Sequence, residues 1–155
     1  MSRRIKAFLD TNVLIDVLSA EPRPNSEASA IILQAIHSGK MEGAISTQSI
    51  LDSAYILSRT PGFSLEKFGE VVSQMYNYVN IYSIDIFNIQ SALQHPTGDF
   101  EDDVLLAFAD STSCDLIITG DKEFCTRPKW DGYRSMPCES PKEFVERITA
   151  QTSSL

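Results

Sequence analysis

The sequence predicts an α/β fold, a three-layer α/β/α sandwich built around a central parallel sheet of about four to five strands. Short apolar segments alternate along the chain with longer segments in which apolar residues recur at helical spacing. Helices, rather than hairpins, separate the strand candidates, which is typical of a parallel sheet covered by helices. The segment at 116–119 is apolar without alternation, as expected for a strand that is buried on both faces.

The amino-terminal elements follow from apolar spacing and from helix breakers. An apolar run at 5–9 predicts the first strand, which ends at a polar turn at 10–12. Helical spacing at 13–18 predicts a helix, and two prolines within 21–25 break it because proline lacks a backbone donor. A second helix is expected from about residue 26 to a glycine stop at 39.

The middle of the chain repeats this pattern. A brief strand is predicted at 43–46, and Ser46 or Thr47 is a suitable N-cap for a helix that closes at 60–62. Helical spacing resumes over 65–76. These elements again place a polar residue where a strand ends and a helix begins.

The carboxyl-terminal elements continue the alternation of strands and helices. A strand at 78–82 is followed by a helix at 86–94 and then by an acidic segment at 99–103. This segment precedes a strongly apolar helix at 104–109, which leads into the buried strand already described. The tail adds a short strand near 133–136 and a helix opened by Ser140 and Pro141, where proline is well tolerated.

Length and composition indicate one soluble domain. The 155 residues are 43% hydrophobic, which is enough for one sizeable core, so a single domain is expected over residues 1–155. No apolar run reaches the ~18 residues of a membrane span, and Asp10 interrupts the short apolar start, which argues against a signal peptide. The three cysteines, Cys114, Cys125 and Cys138, lack a C-x-x-C spacing, so neither a disulfide framework nor a zinc site is expected and the cytoplasm fits best.

The net charge of −8 works against simple electrostatic attraction of nucleic acid. If several carboxylates lie in one pocket to hold cations, much of the excess negative charge is confined to that pocket. Bound metal ions would then neutralise it. Two basic groups could still line a substrate path, although solvated surface is their more ordinary role: Arg3, Arg4 and Lys6, and Lys122, Arg127 and Lys129.

Acidic residues stand where the predicted topology brings segments together. Asp10 ends the first strand, Asp121 follows the strand at 116–119, and Asp102 or Asp103 lies at the start of the helix before that strand. Ligands of such folds bind beyond the carboxyl ends of the strands. Clustered carboxylates repel each other, and Mg²⁺ or Mn²⁺, which prefer oxygen ligands, would offset that repulsion. Such ions can activate water for phosphodiester hydrolysis.

Each of these acids also has an ordinary structural role. Asp10 could cap the helix that follows it, and Asp121 could cap a short helix at 122–124. Asp102 and Asp103 could be first-turn acids favoured by the helix dipole. Asp52 lies between apolar neighbours in a predicted helix and could be a solvent-facing residue.

Four blocks of the sequence resemble the PIN domain family. Phe-Leu-Asp-Thr-Asn-Val-Leu at 8–14 is similar to the opening of these domains, and Ser46 followed six residues later by Asp52 is similar to their second block. Asp-Phe-Glu-Asp at 99–102 and Ile-Thr-Gly-Asp-Lys-Glu-Phe at 118–124 resemble the third and fourth blocks. The order and spacing agree over roughly residues 5 to 140, and four blocks in order are a far more specific signal than one.

The resemblance implies a set of metal-binding acids. Asp10, Asp52, Asp102 and Asp121 match the acids with which family members bind magnesium or manganese. Position 52 is usually glutamate in the family, so the shorter aspartate is expected to reach a metal only through water.

The resemblance also implies supporting residues and leaves one ambiguity. Asn12 and Thr119 match polar residues that hold the metal ligands through hydrogen bonds. Asp99 and Asp103 flank Asp102 and are further candidate metal ligands. On a helix, Asp99 and Asp103 would share one face while Asp102 points elsewhere.

The function implied by the resemblance is that of a metal-dependent endoribonuclease, the toxin of a toxin–antitoxin pair. An RNA substrate, an antitoxin that covers the site and a homodimer formed through helices are then the expected partners. The alternative is a binding module that holds metal or RNA without turnover. A phosphatase or haloacid-type transferase would need a second aspartate two residues after Asp10, where this chain has Asn12.

Overall fold

The computed structural model describes residues 3–126 and 136–152. Within them, five strands form one sheet: β1 (Lys6–Leu9), β2 (Glu42–Ser46), β3 (Asn80–Tyr82), β4 (Leu116–Ile118) and β5 (Cys138–Glu139). The helices are α1 (Thr11–Leu18), α2 (Ser26–His37), α3 (Thr47–Leu57), α4 (Leu65–Met75), α5 (Ile86–Gln94), α6 (Phe100–Ser111), α7 (Lys122–Thr126) and α8 (Pro141–Thr152). The predicted alternation of strands and helices is confirmed.

All neighbouring strands are parallel, in the order β3-β2-β1-β4-β5. The chain moves outward from β1 through β2 to β3, and then crosses to the other side of β1 to form β4 and β5. Leu9 pairs with Ile118, so the carboxyl ends of the two central strands lie side by side. Ligand sites of open parallel sheets lie where the strand order reverses in this way.

The core lies on both faces of the sheet, which confirms the three-layer sandwich. Ala7 and Leu9 belong to the apolar cluster on one face, whereas Phe8 between them belongs to the cluster on the other. All three side chains are fully buried. Phe8 packs edge-on against Phe108 of α6, with ring centroids 5.3 Å apart. Burial on both faces is why the central strands read as continuous apolar runs.

Polar residues at strand ends start the helices that border the site. Asp10 is the N-cap of α1 and is the single residue between that helix and β1. Ser46 ends β2 and caps α3, and its hydroxyl accepts a hydrogen bond from the backbone N–H of Ser49. Asp99 caps α6 in the same manner. Each cap satisfies a backbone donor that the helix start leaves unpaired, and it places a polar side chain at the carboxyl edge of the sheet.

The carboxyl-terminal part contains a short strand and a disulfide. The strand predicted near 133–136 falls mostly on residues 133–135, outside the described residues, and the last strand of the sheet is β5 at Cys138–Glu139. The expectation that the cysteines form no disulfide is wrong, because Cys125 of α7 is joined to Cys138. Pairing of β5 with β4 brings that strand next to the helix that follows β4, so the two thiols meet despite 13 positions of separation. Cys114 is buried and free.

Across residues 3–126 and 136–152, none of the helices combines the length and the apolar character that crossing a bilayer requires.

Candidate active site

A cleft of about 510 Å³ lies at the carboxyl edge of the sheet and is rich in carboxylates. It is bordered by the end of β1, the starts of α1 and α6, the outer part of α3 and the segment after β4. The acids that line it are Asp10, Asp52, Asp99, Glu101, Asp102, Asp121 and Glu123. The fold therefore brings together acids from segments that are far apart in the sequence.

Asp10 is held by a hydrogen-bond network that ties β1 to β4. Its Oδ1 accepts from the backbone N–H of Thr11 at 2.7 Å, and its Oδ2 accepts from Asn12 Nδ2 at 3.1 Å and from Thr119 Oγ1 at 2.8 Å. Asn12 Nδ2 also donates to Thr119 Oγ1 at 2.9 Å, and Asn12 Oδ1 accepts from the backbone N–H of Gly120 at 2.7 Å. Asn12 and Thr119, the two residues predicted to support the site, thus both contact the central acid.

Burial raises the pKa of Asp10 above its ordinary value of 3.8. The hydrogen bonds from Thr119, Thr11 and Asn12 oppose this shift, while repulsion from Asp121 adds to it. Asp121 accepts hydrogen bonds from the backbone N–H groups of Glu123 and Phe124, so it caps α7 and also faces the cleft. The structural and the functional expectation for this residue are therefore compatible.

The acidic side chains at the start of α6 point in two directions. The expectation that Asp99 and Asp103 share one face, with Asp102 on another, is corrected. Asp103 is 4% exposed and accepts two hydrogen bonds from Thr97, at 2.9 Å from the backbone N–H and at 2.5 Å from Oγ1. It does not line the cleft, whereas Asp99 and Asp102 do. Asp99 is the N-cap and has an extended backbone conformation, so helical periodicity does not extend to it.

Glu101 is a cleft residue that the sequence did not single out. Burial raises the pKa of Glu101, and repulsion from Asp52, Asp10 and Asp99 raises it further. Only its position between predicted acids pointed to it, since four of the five residues at 99–103 are acidic and no periodicity separates them. Glu123 also lines the cleft and was likewise not singled out from the sequence.

Asp52 enters the cleft from α3, where it is half-buried. Gln48, one turn earlier on the same helix, donates from Nε2 to Asp52 Oδ1 at 2.8 Å. The neighbouring carboxylate of Glu101 repels it. Asp52 therefore lies at the side of the cleft together with the other candidate acids.

The donor set suits a hard divalent cation. In the part of the chain that the structure describes, Asp10, Asp52 and Asp121 form no ion pair with lysine or arginine. Asp10 receives hydrogen bonds from neutral donors only, although it is half-buried beside another acid. Oxygen-rich sites of this kind fit Mg²⁺ or Mn²⁺. Among the described residues the acids surround the cleft and do not form a compact ready-made group of three ligands.

The basic residues near the amino terminus lie away from this cleft. Lys6 begins β1 and donates from Nζ to Tyr82 and to the carbonyl of Thr112, while Arg3 pairs with Asp115 at 3.0 Å. They occupy the amino edge of the sheet and do not line the acidic cleft, which agrees with their more ordinary role as surface residues. Lys122 directly follows Asp121 and is exposed, and the other two basic candidates, at 127 and 129, lie outside the described residues.

Comparison of the sequence with known proteins indicates the family of this chain. A family model described as PIN domain matches residues 6–123. The curated relative Ribonuclease VapC1 of Aquifex aeolicus (strain VF5) is 25% identical over 124 residues, which are 77% of this chain and 83% of the relative.

Solved structures show the same fold at low sequence identity. A toxin–antitoxin complex from Klebsiella pneumoniae matches with a TM-score of 0.56 and 21% identity, covering 79% of this chain and 92% of the other. VapBC2 from Rickettsia felis, bound to a DNA fragment from its promoter, matches with a TM-score of 0.61 and 15% identity, covering 88% and 98%. Since the family model matches residues 6–123, which is most of the sequence, this chain belongs to the PIN domain family.

Proposed function

We propose that this protein is a metal-dependent endoribonuclease that hydrolyses RNA phosphodiester bonds as the toxin of a toxin–antitoxin pair. The observation that carries the proposal is the convergence of Asp10, Asp52, Asp102 and Asp121, from four separate segments, on one cleft. The relative named as a ribonuclease and the fold shared with toxin–antitoxin proteins support the same reading.

Asp10, Asp102 and Asp121 are the residues that we assign to hold Mg²⁺ or Mn²⁺, with Asp52 and Asp99 as further ligands at the rim. The bound ion would activate water and neutralise charge on the phosphate during in-line displacement. We do not assign Asp103, because its carboxylate is engaged by Thr97.

The chain's own polar residues set the state of the central ligand. Thr119 and Asn12 donate to the same oxygen of Asp10, which holds the carboxylate in one orientation and favours its ionised form. The backbone N–H of Asp121 donates to the same hydroxyl, Thr119 Oγ1, at 3.0 Å. The two strand-end acids are thereby positioned by one shared hydroxyl.

An antitoxin partner, a homodimer and a cytoplasmic location belong to the same proposal. The solved toxin–antitoxin structures with this fold support the antitoxin. Large apolar side chains on exposed helix faces, among them Leu51, Tyr55, Phe87 and Leu93, support association through helices. Sedimentation of the purified chain at several concentrations measures the homodimer directly.

A second candidate is a binding module that holds metal or RNA without turnover. Asp52 favours it, because aspartate is one methylene shorter than the glutamate expected at this position and Gln48 already occupies its Oδ1. Binding of RNA that persists with manganese while no cleavage occurs would identify this alternative.

The test is cleavage of a mixed RNA pool with magnesium or manganese by the wild type, Asp10→Ala, Asp102→Ala and Asp110→Ala. We expect the first two substitutions to abolish cleavage. Asp110 is an exposed acid of α6 that does not line the cleft, so its substitution should leave cleavage unchanged. Because Asp10 also caps α1, circular dichroism must show that Asp10→Ala is folded despite an expected loss of about 1 kcal/mol. Equal cleavage by all four proteins would overturn the proposal.

A further inference from the structure

A second cavity, of about 660 Å³, adjoins the acidic cleft. The two share Thr11, Asp52, Glu101 and Leu105, so they are neighbouring parts of one surface depression. The walls of the second cavity are mainly apolar and come from the start of α5 and from α6: Ile84, Ile86, Ile89, Phe100, Val104 and Leu105. A concave apolar pocket of this size with a few polar groups is typical of a site for a small organic group.

Two buried hydroxyls in this pocket leave one hydrogen-bond donor unused. Ser46 and Ser49 both line the pocket, are at most 1% exposed, and have their Oγ atoms 2.9 Å apart. Ser46 Oγ also accepts from the backbone N–H of Ser49. Two hydroxyls carry two protons, and the Oγ–Oγ bond uses one of them. The other has no acceptor among the described residues, which is costly for a buried donor unless a ligand or water accepts it.

The pocket also offers acceptors. Asp85 is the N-cap of α5, and its Oδ1 accepts from the backbone N–H groups of Phe87 and Asn88, whereas Oδ2 accepts no bond from the described part of the chain. Asp52 and Glu101 add carboxylates where the pocket meets the cleft. No lysine or arginine is found among the described lining residues. This electrostatic character disfavours a phosphate and favours a neutral group that brings N–H donors.

We propose that this pocket binds one nucleobase of the RNA strand, next to the phosphodiester at the acidic cleft, and prefers a base with an exocyclic amino group. The inference rests on the proposed ribonuclease function and adds a specificity site to it. Amino groups of adenine, cytosine and guanine can donate to a carboxylate, and their ring nitrogens or carbonyls can accept from the free serine hydroxyl. Uracil has no amino group and is bound less well.

Phe100 supplies the surface on which the base stacks. Its ring is 51% exposed at the first position of α6, on the boundary between solvent and pocket. Exposed aromatic rings at the edge of a nucleic-acid site bind bases through their flat faces, and base–aromatic stacking is insensitive to which base is present. The ring thus provides affinity, and the polar groups behind it provide selectivity.

The first test uses the free nucleosides, with no phosphate and no metal. Adenosine, guanosine, cytidine and uridine are titrated into the full chain while the methyl signals of Ile84, Ile89 and Val104 are followed by NMR. We expect the three amino-bearing nucleosides to shift these signals and uridine to shift them less. Phe100→Ala should weaken binding about fivefold or more. Tyr76→Ala removes a ring that is 63% exposed, outside the pocket and apart from the side chains assigned to association, so it is the control and should bind as the wild type does.

The second test separates selectivity from affinity. Asp85→Asn keeps the N-cap, because asparagine caps as well as aspartate, but it removes the carboxylate. The preference for amino-bearing nucleosides over uridine should therefore fall while the affinity for uridine is retained. In oligonucleotide cleavage, the same variant should lose discrimination at one position near the cut, and Phe100→Ala should raise KM more than it lowers kcat.

The outcomes distinguish this inference from the proposed function. RNA cleavage without any nucleoside-induced shift of the pocket methyls would overturn the base pocket and leave the ribonuclease intact. Nucleoside binding in the pocket without RNA cleavage would refute the ribonuclease and support only a base-binding module. Sedimentation that shows a dimer whose formation protects these methyls from nucleosides would assign the pocket to a second copy of this chain, and would likewise overturn the inference.

Discussion

Replacing Thr119 by valine tests whether the shared hydroxyl positions the metal-binding acids. Valine has nearly the same shape, and Thr119 is 1% exposed, so the change removes one buried hydroxyl and little else. That hydroxyl donates to Asp10 Oδ2 at 2.8 Å and accepts from Asn12 Nδ2 at 2.9 Å and from the backbone N–H of Asp121 at 3.0 Å. Three hydrogen bonds therefore disappear together.

The magnitude follows from what remains unpaired. A bond to a charged group contributes about 1.5–3 kcal/mol, and a buried donor left without a partner costs about 1–3 kcal/mol. Because Asp10 borders an open cleft, water can replace part of this loss, and we expect Thr119→Val to lower the free energy of unfolding by about 2 kcal/mol. Thr119→Ser keeps the hydroxyl and loses one methyl group, at about 1 kcal/mol. The functional difference is larger, since residues that orient metal ligands contribute about 10- to 100-fold in affinity or activity.

The pH dependence gives a second readout with a defined sign. The hydrogen bond from Thr119 lowers the pKa of Asp10, against the larger effect of burial that raises it. Without the hydroxyl the pKa of Asp10 rises further, so the carboxylate is protonated at higher pH and the acid limb of the cleavage profile moves to higher pH. A raised pKa also means that the folded state prefers protonated Asp10, and the stability it contributes is present below pH 3.8 and is lost as pH rises. The destabilisation by valine should therefore be smaller near pH 4 than at pH 7.

The assays are urea unfolding at both pH values, calorimetric titration with Mn²⁺, and RNA cleavage between pH 4 and pH 8. Valine should weaken manganese binding and shift the acid limb, and serine should restore both to nearly the wild-type values. If valine and serine behave alike in manganese affinity and in the acid limb, the hydroxyl does not position Asp10 and the reasoning is refuted.

Two further predictions concern the acidic helix start and the disulfide. Asp103→Asn should lower the free energy of unfolding in urea and leave most of the RNA cleavage, because the buried Asp103 carboxylate accepts hydrogen bonds from Thr97. Asp102→Asn should remove most of the cleavage and change the free energy of unfolding little, because Asp102 lines the cleft. The opposite result for the two variants would show that Asp103 faces the site. Reduction of the Cys125–Cys138 disulfide should lower the free energy of unfolding by about 3 kcal/mol, the value expected for closing a loop of this length. Cys125→Ser should lower the free energy of unfolding by the same amount and should not respond to reductant. If reductant does not change the free energy of unfolding of the wild type either, the disulfide is contradicted.

The fold could be predicted because local sequence features determine where its helices and strands begin and end. Gly39, the predicted stop of the second helix, has a φ of 73°, a left-handed conformation that favours glycine. The two prolines within 21–25 lie between α1 and α2, as expected. The central strands were recognisable because burial on both faces removes polar residues from them. Segments could therefore be assigned as strands or helices without any knowledge of contacts between distant residues.

The arrangement of the acids was predictable only in part. Asp10 and Asp121 follow strand ends, and the parallel topology alone brings such positions together. At 99–103 the side-chain directions depend on the residue at which α6 begins. Because Asp99 is the N-cap and has an extended backbone, its side-chain direction does not follow the helical spacing of the residues after it. One residue of difference decides whether Asp102 or Asp103 faces the cleft. Their catalytic roles, like those of the other acids, stay a prediction.

Features that depend on distant packing had no signal in the sequence. The disulfide needs α7 to lie beside β5, which follows from strand order and not from cysteine spacing. The base pocket needs Ser46 at the end of β2 to face the apolar side chains of α6 across the start of α5. Neither arrangement leaves a periodic trace, because each depends on how the strands pair and the helices pack, and not on the spacing of residues along the chain.

The net charge of −8 becomes consistent with an RNA substrate once its distribution is considered. Seven carboxylates line one cleft, and Arg3, Arg4 and Lys6 are engaged at the opposite edge of the sheet. The described surface near the cleft thus offers little attraction for phosphate by itself. Under the proposed function, attraction would come from cations held by the acids, and further affinity would come from contacts with bases. An acidic cleft beside an apolar, acceptor-rich pocket would provide for both without an extended basic face on the described part of the chain.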